Sequence, residues 1–177
     1  QQLLREGDTL ELHELKPSAR EQLERVVEPR RDRRVRVAEK DGYAGLISAD
    51  VPEGAHLLAL VDPPFESSEE WDWIESCVKR TAVKRPGATL VLWYPVKQGA
   101  PHEGRPERLR RALEDARVRG SSVELTSRGG MLVSKSKHAK VRGVLLGSGL
   151  LVVGAPHRAG AKLAAALSEL ARNMART

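Results

Sequence analysis

The sequence predicts an α/β fold built on a doubly wound, mostly parallel sheet. Short apolar runs alternate with amphipathic segments along the chain, which is the order expected when each strand is followed by a helix that packs on the sheet. Three of the predicted strands are followed closely by a carboxylate, and ligands bind at the carboxyl ends of strands in such sheets. Because no linker or repeat is evident, we expect one domain that spans residues 1–177.

Composition limits the classes of function. The net charge is +6 and the isoelectric point is near 9.8, which favours a polyanionic partner such as nucleic acid, although a solvated arginine-rich surface is equally consistent. No apolar stretch approaches the roughly 18 residues of a membrane helix. The single Cys77 fits a reducing compartment, and no histidine shares a metal-ligand spacing with it. We therefore expect a cytoplasmic protein without a metal ion or a membrane partner.

Six strands are predicted from alternating or continuous apolar residues. In chain order they are Thr9–Leu15, Val35–Val37, His56–Val61, Thr89–Tyr94, Val123–Thr126 and Leu150–Val153. The fourth strand is apolar throughout, so we expect it near the centre of the sheet. Residues 129–142 are rich in Gly and Lys and have no period, which predicts a mobile loop.

Helices are predicted where apolar residues recur every three or four positions. Ser18 and Glu21 form a capping box for the first helix, and Ser67 or Ser68 caps a longer one whose apolar face includes Cys77. The predicted helices are 18–27, 43–47, a segment from 68 to about 85, 109–116 and 163–174.

The tetrapeptide Asp62-Pro63-Pro64-Phe65 directly follows the third predicted strand. Proline fixes φ and donates no hydrogen bond, so two in succession hold the loop and leave its carbonyls facing the site. The Asp62 carboxylate and the Pro63 carbonyl can accept hydrogen bonds from an exocyclic amine, which turns the amine lone pair toward an electrophile. Phe65 can stack on the base. An ordinary proline-rich loop is the alternative, but motif and strand end together favour the chemical interpretation.

Two further carboxylates lie at or just beyond the ends of predicted strands. Glu14 can accept hydrogen bonds from both ribose hydroxyls of a nucleoside cofactor. Asp41 can accept one from an adenine amine, and Gly42 lets the backbone approach the ring. A surface glutamate and a plain Asp-Gly turn are the ordinary alternatives. Three acidic strand ends in this order favour a cofactor site formed by Glu14, Asp41, Gly42 and Asp62.

Trp93-Tyr94-Pro95-Val96-Lys97 ends the strand that we expect beside the Asp62 strand. Tyr94 and Lys97 can then face the base and its phosphate, although aromatic residues that simply cover the core are an equal alternative. Gly147-Ser148-Gly149 resembles a phosphate-binding fragment, but a strand follows it and no helix does, so we expect no dinucleotide site.

Two basic clusters can follow phosphates or can remain solvated loop. Their members are Arg30, Arg31, Arg33, Arg34 and Arg36 in the first, and Lys135, Lys137, Lys140 and Arg142 in the second. Because the second cluster shares a segment with Gly and Ser, we expect it to be the one that contacts RNA.

Together these residues resemble the catalytic part of RlmJ-type 23S ribosomal RNA adenine-N6 methyltransferases. Asp-Pro-Pro-aromatic marks amino-methyltransferases in general, whereas Trp-Tyr-Pro-Val-Lys and Gly-Ser-Gly-Leu narrow the resemblance to this family. The matching stretches cover most of the chain in the family's order: Leu3–Arg5, Asp8–Leu12, Glu14-Leu15 with Pro17-Ser18, Asp41-Gly42, Leu60–Glu66, Trp93–Lys97 and Gly147–Val153.

The resemblance implies a Rossmann-like class I methyltransferase fold, S-adenosylmethionine as the methyl donor, and N6-methylation of an adenine in 23S ribosomal RNA by a monomer. It implies that Glu14 holds the cofactor ribose and that Asp41 and Gly42 hold its adenine end. Asp62 would engage the target amine and Phe65 would stack on the base, which must leave its own stack. The alternatives are an amino-methyltransferase of DNA or of a protein amide, and an inactive RNA-binding remnant of the family.

The chain departs from the family pattern in four places. Lys16 stands where the family has His, residues 130–144 make a longer loop, and Gly154–His157 replaces an Asn-Pro-Pro-Trp-like ending. The family's first strand and Gly-rich cofactor turn are absent from the sequence. Because that strand lies at the middle of the family's sheet, we expect the strands of Glu14 and Asp62 to lack a common neighbour, and the chain to be a fragment that binds the cofactor weakly.

Overall fold

The computed structural model describes residues 4–28, 32–98, 103–118, 120–132 and 144–154, together with 161–162, 165–166 and 169. Strands and helices alternate as predicted, and the predicted pair of consecutive strands follows the last of these helices. The elements are β1 (Leu10–His13), α1 (Pro17–Val27), β2 (Val35–Ala38), α2 (Gly42–Ser48), β3 (Leu58–Val61), α3 (Glu69–Lys84), β4 (Thr89–Gln98), α4 (Arg105–Asp115), β5 (Gly120–Leu132) and β6 (Val144–Val153). Within the described ranges, every helix is too short or too polar to span a bilayer.

The chain divides into two compact units, Gln1–Ala49 and Asp50–Thr177. The first unit contains a two-stranded sheet in which β1 and β2 run parallel. The second contains a four-stranded sheet of order β3-β4-β6-β5, in which β3 and β4 are parallel and the other two pairs are antiparallel. The α/β class is therefore confirmed. The second sheet is mixed rather than mostly parallel, because β6 runs antiparallel to both of its neighbours, β4 and β5.

β1 and β3 lie in different sheets, and β3 is an edge strand of the larger one. On one face of β3, Leu58 and Leu60 are 67% and 72% exposed. β3 thus has an uncovered apolar face and, among the described residues, a strand partner on one edge only.

The core of the second unit contains the predicted apolar face of α3. Its buried residues follow helical spacing and include Cys77, whose side chain is 2% exposed. Leu109 and Leu113 are the buried residues of α4, as their spacing predicts. The remaining buried apolar side chains come largely from β4 and β6: Leu90, Leu92, Tyr94, Leu151, Val152 and Val153.

Some element boundaries differ from the prediction. α1 begins at Pro17 with Lys16 as its N-cap and has no side-chain cap bond, so the capping box of Ser18 and Glu21 is wrong. Proline suits this first position because its fixed φ is helical and its missing N–H would have no partner there. Residues 129–132 belong to β5 rather than to a loop, and Gly147-Ser148-Gly149 lies within β6, because antiparallel pairing extends both strands.

Some predictions fall on residues outside the described ranges. They are Arg30 and Arg31 of the first basic cluster, the whole second cluster (Lys135, Lys137, Lys140 and Arg142), most of the last predicted helix, and the segment 155–157.

The first unit makes a close contact between β1 and α2, where a Cβ atom added to Gly45 would overlap the His13 ring. Gly45 is buried and the His13 side chain is only 16% exposed, so an added methyl group forces the ring to shift within a largely enclosed site. We expect Gly45→Ala to lower the opening free energy of this unit by about 1–3 kcal/mol, the usual cost of overpacking. Amide hydrogen exchange along α2 measures this, and Gly42→Ala, which meets no atom within 4 Å, is the matched control. Equal exchange in the two variants would contradict the contact.

Candidate functional site

The loop Asp62–Phe65 leaves the second sheet at the carboxyl end of β3. Val61 pairs with Leu92 of the parallel strand β4, so the loop starts where β4 continues into Trp93–Lys97. The predicted adjacency of these two motifs is confirmed. Asp62 is exposed and its neighbour Pro63 is buried. The carboxylate is therefore presented to solvent by a backbone that is anchored in the protein.

Phe65 ends this loop in an unusual backbone conformation. Its φ is 51°, in the left-handed region that costs a non-glycine residue about 1–2 kcal/mol. The ring is 2% exposed, and its centroid lies 4.9 Å from that of Trp71 and 6.1 Å from that of Trp93. Tilted and edge-to-face ring pairs at these distances are stabilising. Ring packing therefore helps to hold a strained backbone next to Asp62.

Tyr94 belongs to the same aromatic cluster. It is 1% exposed, and its ring centroid is 6.0 Å from that of Trp71. Tyr94 pairs with Gly149 of the neighbouring strand β6, and a Cβ atom at Gly149 would overlap the Tyr94 ring. The sequence led us to expect Phe65 and Tyr94 to face a base. In this conformation both rings are instead buried against protein groups, because the aromatic side chains pack on one another.

Lys97 remains at the same end of β4 and is half-buried. Burial lowers the pKa of Lys97, and the negative charge of Glu70 opposes that shift. The ammonium group is thus a partly desolvated cation at the end of β4.

Glu70, in the first turn of α3, is a residue that the sequence analysis missed. It is 7% exposed. Burial raises the pKa of Glu70, while backbone hydrogen bonding from Glu66 and Ser67 and the charge of Lys97 act in the opposite direction. Ser68 is the N-cap by position but makes no side-chain cap bond, so capping by a serine side chain is wrong there. In the sequence, the run of acidic residues in the first turn of α3 was the signal that could have drawn attention to Glu70.

The two candidate cofactor carboxylates of the first unit follow its parallel strands, Glu14 after β1 and Asp41 after β2. The Glu14 N–H donates to the Ala38 carbonyl at 3.1 Å, and Glu14 Oε1 accepts from the Lys16 N–H at 2.8 Å. Asp41 Oδ1 accepts from the Ala44 N–H at 2.8 Å and so caps α2. Asp41-Gly42 is therefore a helix start rather than a simple turn. Both carboxylates have a backbone partner that fixes their orientation.

No group of three His, Cys, Asp or Glu side chains within the described ranges is placed to hold a metal ion. The predicted RNA-contacting residues Lys135, Lys137 and Lys140 lie outside those ranges.

Solved structures share the fold of this chain. Protein LPL1258 from Legionella pneumophila superimposes with a TM-score of 0.74 at 23% identity, over 96% of this chain and 57% of that chain. The precorrin 8W decarboxylase from Methanobacterium thermoautotrophicum gives a TM-score of 0.51 at 12% identity, over 83% of this chain and 70% of that chain. At these identities the likeness concerns the fold alone.

Sequence comparison identifies the family. Ribosomal RNA large subunit methyltransferase J of Escherichia coli strain K12 is 35% identical over 94 residues, which are 53% of this chain and 33% of that protein. The chain thus matches only a third of the length of this curated relative. The family model described as "Ribosomal RNA large subunit methyltransferase D, RlmJ" matches residues 1–177. Since that match covers the whole sequence, the chain belongs to the RlmJ family of ribosomal RNA large-subunit methyltransferases.

Proposed function

We propose that this chain carries the catalytic loop of an S-adenosylmethionine-dependent methyltransferase that modifies N6 of an adenine in 23S ribosomal RNA. The observation that carries the proposal is the exposed Asp62 carboxylate, presented at a strand end by a buried Pro63 and an aromatic cluster. Membership in the RlmJ family supports the reaction class, and the α/β alternation is compatible with a class I methyltransferase fold. The E. coli relative is named for large-subunit ribosomal RNA, which supports the substrate class.

Asp62 is the acceptor for the target amine in this proposal. Its carboxylate and the Pro63 carbonyl each accept one N–H of the amine, so that the nitrogen lone pair points away from the loop. S-adenosylmethionine, when bound, supplies a methyl group on a positively charged sulfur. The nitrogen forms its bond to the methyl carbon as the methyl–sulfur bond breaks and its electron pair stays on sulfur. The nitrogen must then lose a proton, and the exposed position of Asp62 allows that proton to pass to water.

Glu14, Asp41 and Gly42 hold the nucleoside part of the cofactor. The donor set fits such a group, because ribose hydroxyls and an adenine amine are hydrogen-bond donors and carboxylates are acceptors. Each of these carboxylates is oriented by a backbone N–H, from Lys16 and from Ala44. Gly42 adds no side chain where the ring would approach, and no atom lies within 4 Å of its would-be Cβ.

Lys97 pairs with a phosphate of the flipped nucleotide, together with Lys135, Lys137 and Lys140. Phe65 and Tyr94 form the aromatic floor of the loop. Stacking of a base on Phe65 requires its ring to leave Trp71 and Trp93, a movement coupled to RNA binding.

The enzyme acts as a monomer in the cytoplasm, where ribosomal RNA is modified.

A transfer assay tests the proposal. The chain and the full product of its gene are each incubated with protein-free 23S ribosomal RNA and S-adenosylmethionine labelled on the methyl group. We expect label in the RNA, recovered as N6-methyladenosine after nuclease digestion and mass spectrometry. Heat-denatured protein is the control. In parallel incubations with DNA or with a glutamine-containing protein in place of the RNA, label in those acceptors and not in the RNA would indicate the other amino-methyltransferases. RNA binding without transfer by either protein would indicate a remnant.

A further inference from the structure

We propose that the exposed face of α3, together with a cavity at its carboxyl end, is a second surface that binds the ribosomal RNA. On this surface Trp73 stacks on an unpaired base, and Arg80 and Arg117 contact phosphates. The inference rests on the proposed function, because the partner is the same RNA. It adds residues that belong to none of the motifs or basic clusters recognised in the sequence.

The exposed face of α3 combines an aromatic ring with basic side chains. Its residues are spaced three or four positions apart and therefore share one side of the helix: Trp73, Ser76, Arg80, Val83 and Lys84. Trp73 is 54% exposed and Val83 is 74% exposed. Single-stranded RNA binds to faces of this kind, since bases of any type stack on the ring and basic groups pair with the backbone phosphates.

Positive charge prevails on the carboxyl half of this face. Its two exposed charged residues are basic, and Arg80 makes no ion pair with the described residues. At the amino end, Asp72 Oδ1 lies 3.3 Å from Arg105 Nη1 and 3.6 Å from Arg108 Nη2, so two guanidinium groups of α4 balance its charge. Glu69 is exposed three residues earlier and repels a phosphate. We therefore place the RNA backbone on the carboxyl half.

The face continues into a cavity of about 360 Å³ at the carboxyl ends of α3 and α4. Val83 belongs both to the face and to the cavity wall, which makes the two continuous. The described lining residues include two arginines, Arg85 and Arg117, and no carboxylate. Guanidinium groups donate hydrogen bonds in a geometry that matches phosphate, so this cavity suits a phosphate of the RNA backbone.

Arg117 occupies a position where glycine is the usual residue. It follows Ala116, the C-cap of α4, and its φ of 55° lies in the left-handed region. Its N–H donates to the Glu114 carbonyl at 2.8 Å, so the helix end needs this backbone conformation but not the side chain. The side chain is exposed and makes no ion pair within the part of the chain that the structure describes. An arginine here costs stability, and a role in binding accounts for that cost.

The face also lies in line with the proposed catalytic loop. α3 begins a few residues after Phe65, so Trp73 is near the end of the helix that adjoins the loop Asp62–Phe65. Val83 lies ten residues after Trp73, which corresponds to about 15 Å of helix. RNA bound along this face can therefore present its target nucleotide to the loop while its backbone enters the cavity.

Four variants of the full gene product test the surface. Trp73→Ala removes the ring, Trp73→Phe keeps a smaller ring, and Arg80→Ala and Arg117→Gly each remove one cation. Arg111→Ala is the matched control, since it removes an equally charged side chain of α4 that is 74% exposed and pairs with Glu107. Binding of a fluorescently labelled single-stranded oligoribonucleotide is measured by anisotropy at several KCl concentrations, and thermal unfolding is measured on the same proteins.

In Trp73→Ala we expect the affinity for RNA to fall about 10-fold with an unchanged salt dependence, because a base stack is lost and no charge is removed. Trp73→Phe should recover the affinity to within about 3-fold of wild type, since an aromatic face remains. Arg80→Ala and Arg117→Gly should each reduce the slope of log affinity against log salt by about 0.7, the contribution of one phosphate contact with a single strand. Arg117→Gly should not lower the melting temperature, because glycine adopts a positive φ without strain.

The binding assay needs no methyl transfer, so it decides on the surface even if the wild-type protein transfers no methyl group, a result that would refute the proposed function instead. Wild-type affinity and salt slope in Trp73→Ala, Arg80→Ala and Arg117→Gly would overturn the RNA surface and indicate a protein partner for this face. Equal losses in the Arg111→Ala control would also overturn it, because binding would then follow the net charge alone.

Discussion

Asp62→Ala is expected to lower kcat for methyl transfer by about 10²–10³-fold, the usual effect of removing one preorganised hydrogen-bonding group from an active site. The loss follows because the target amine keeps only the Pro63 carbonyl as an acceptor. Asp62→Asn retains one side-chain oxygen and is expected to lose about 10-fold, close to the value of a single hydrogen bond. Single-turnover methyl transfer to 23S ribosomal RNA, with enzyme in excess, measures this step apart from product release.

The Asp62 variants also separate chemistry from folding and binding. Asp62 is exposed, so its replacement should leave the melting temperature unchanged. RNA binding, measured by filter retention at fixed salt, should persist in Asp62→Ala because the phosphate contacts come from basic residues. Asp50→Ala, another exposed aspartate of the same unit, is the matched control and should keep full activity. Loss of activity in both variants, or in neither, would exclude Asp62 as the amine acceptor.

The strand ends were predictable from sequence because their signals are local. An apolar run followed by Asp-Pro-Pro places Asp62 at the end of β3, and the continuous apolar run before Trp93 places β4 beside it. Helical spacing predicted the buried face of α3, including Cys77. Each of these inferences used residues within a few positions of one another, where strand and helix periods decide which side is buried.

Ring orientation was not predictable in this way. Tyr94 is buried partly because Gly149, distant in sequence, leaves space for its ring across the β4–β6 pair. Phe65 turns inward because Trp71 and Trp93 supply partners and because its backbone is left-handed. Neither the cross-strand register nor the sign of φ can be read from the tetrapeptide, so an exposed stacking ring and a buried one look identical in sequence.

The burial of Glu70 escaped prediction for a related reason. A serine before a run of acidic residues predicts a side-chain cap, and Ser68 does occupy the N-cap position. Instead, no serine side chain caps the helix and Glu70 of its first turn is buried, and burial depends on tertiary packing rather than on local propensity. Similarly, β5 and β6 exceed their predicted lengths because their pairing with each other extends them past any apolar pattern.

Phe65→Ala is expected to destabilise the second unit by about 3–5 kcal/mol, the range for removing a buried aromatic ring. The ring is 2% exposed and contacts two tryptophans, so its removal leaves a cavity between them. The substitution does not relieve the backbone strain, because alanine at a φ of 51° is as unfavourable as phenylalanine. Urea unfolding followed by tryptophan fluorescence suits the measurement, since Trp71 and Trp93 report directly on the cluster.

Trp73→Ala is the matched control for this experiment. Trp73 lies on the same helix as Trp71 but is 54% exposed, so its truncation should cost well under half as much as that of Phe65. The comparison decides between two roles for Phe65. If the Phe65 ring waited in solvent for a base, its truncation would lower activity at little cost in protein stability, as small as the cost expected for Trp73→Ala. If the ring instead supports the loop Asp62–Phe65 by packing, its truncation must lower activity and protein stability together. A stability cost for Phe65→Ala no larger than that for Trp73→Ala would contradict the packing described for this loop.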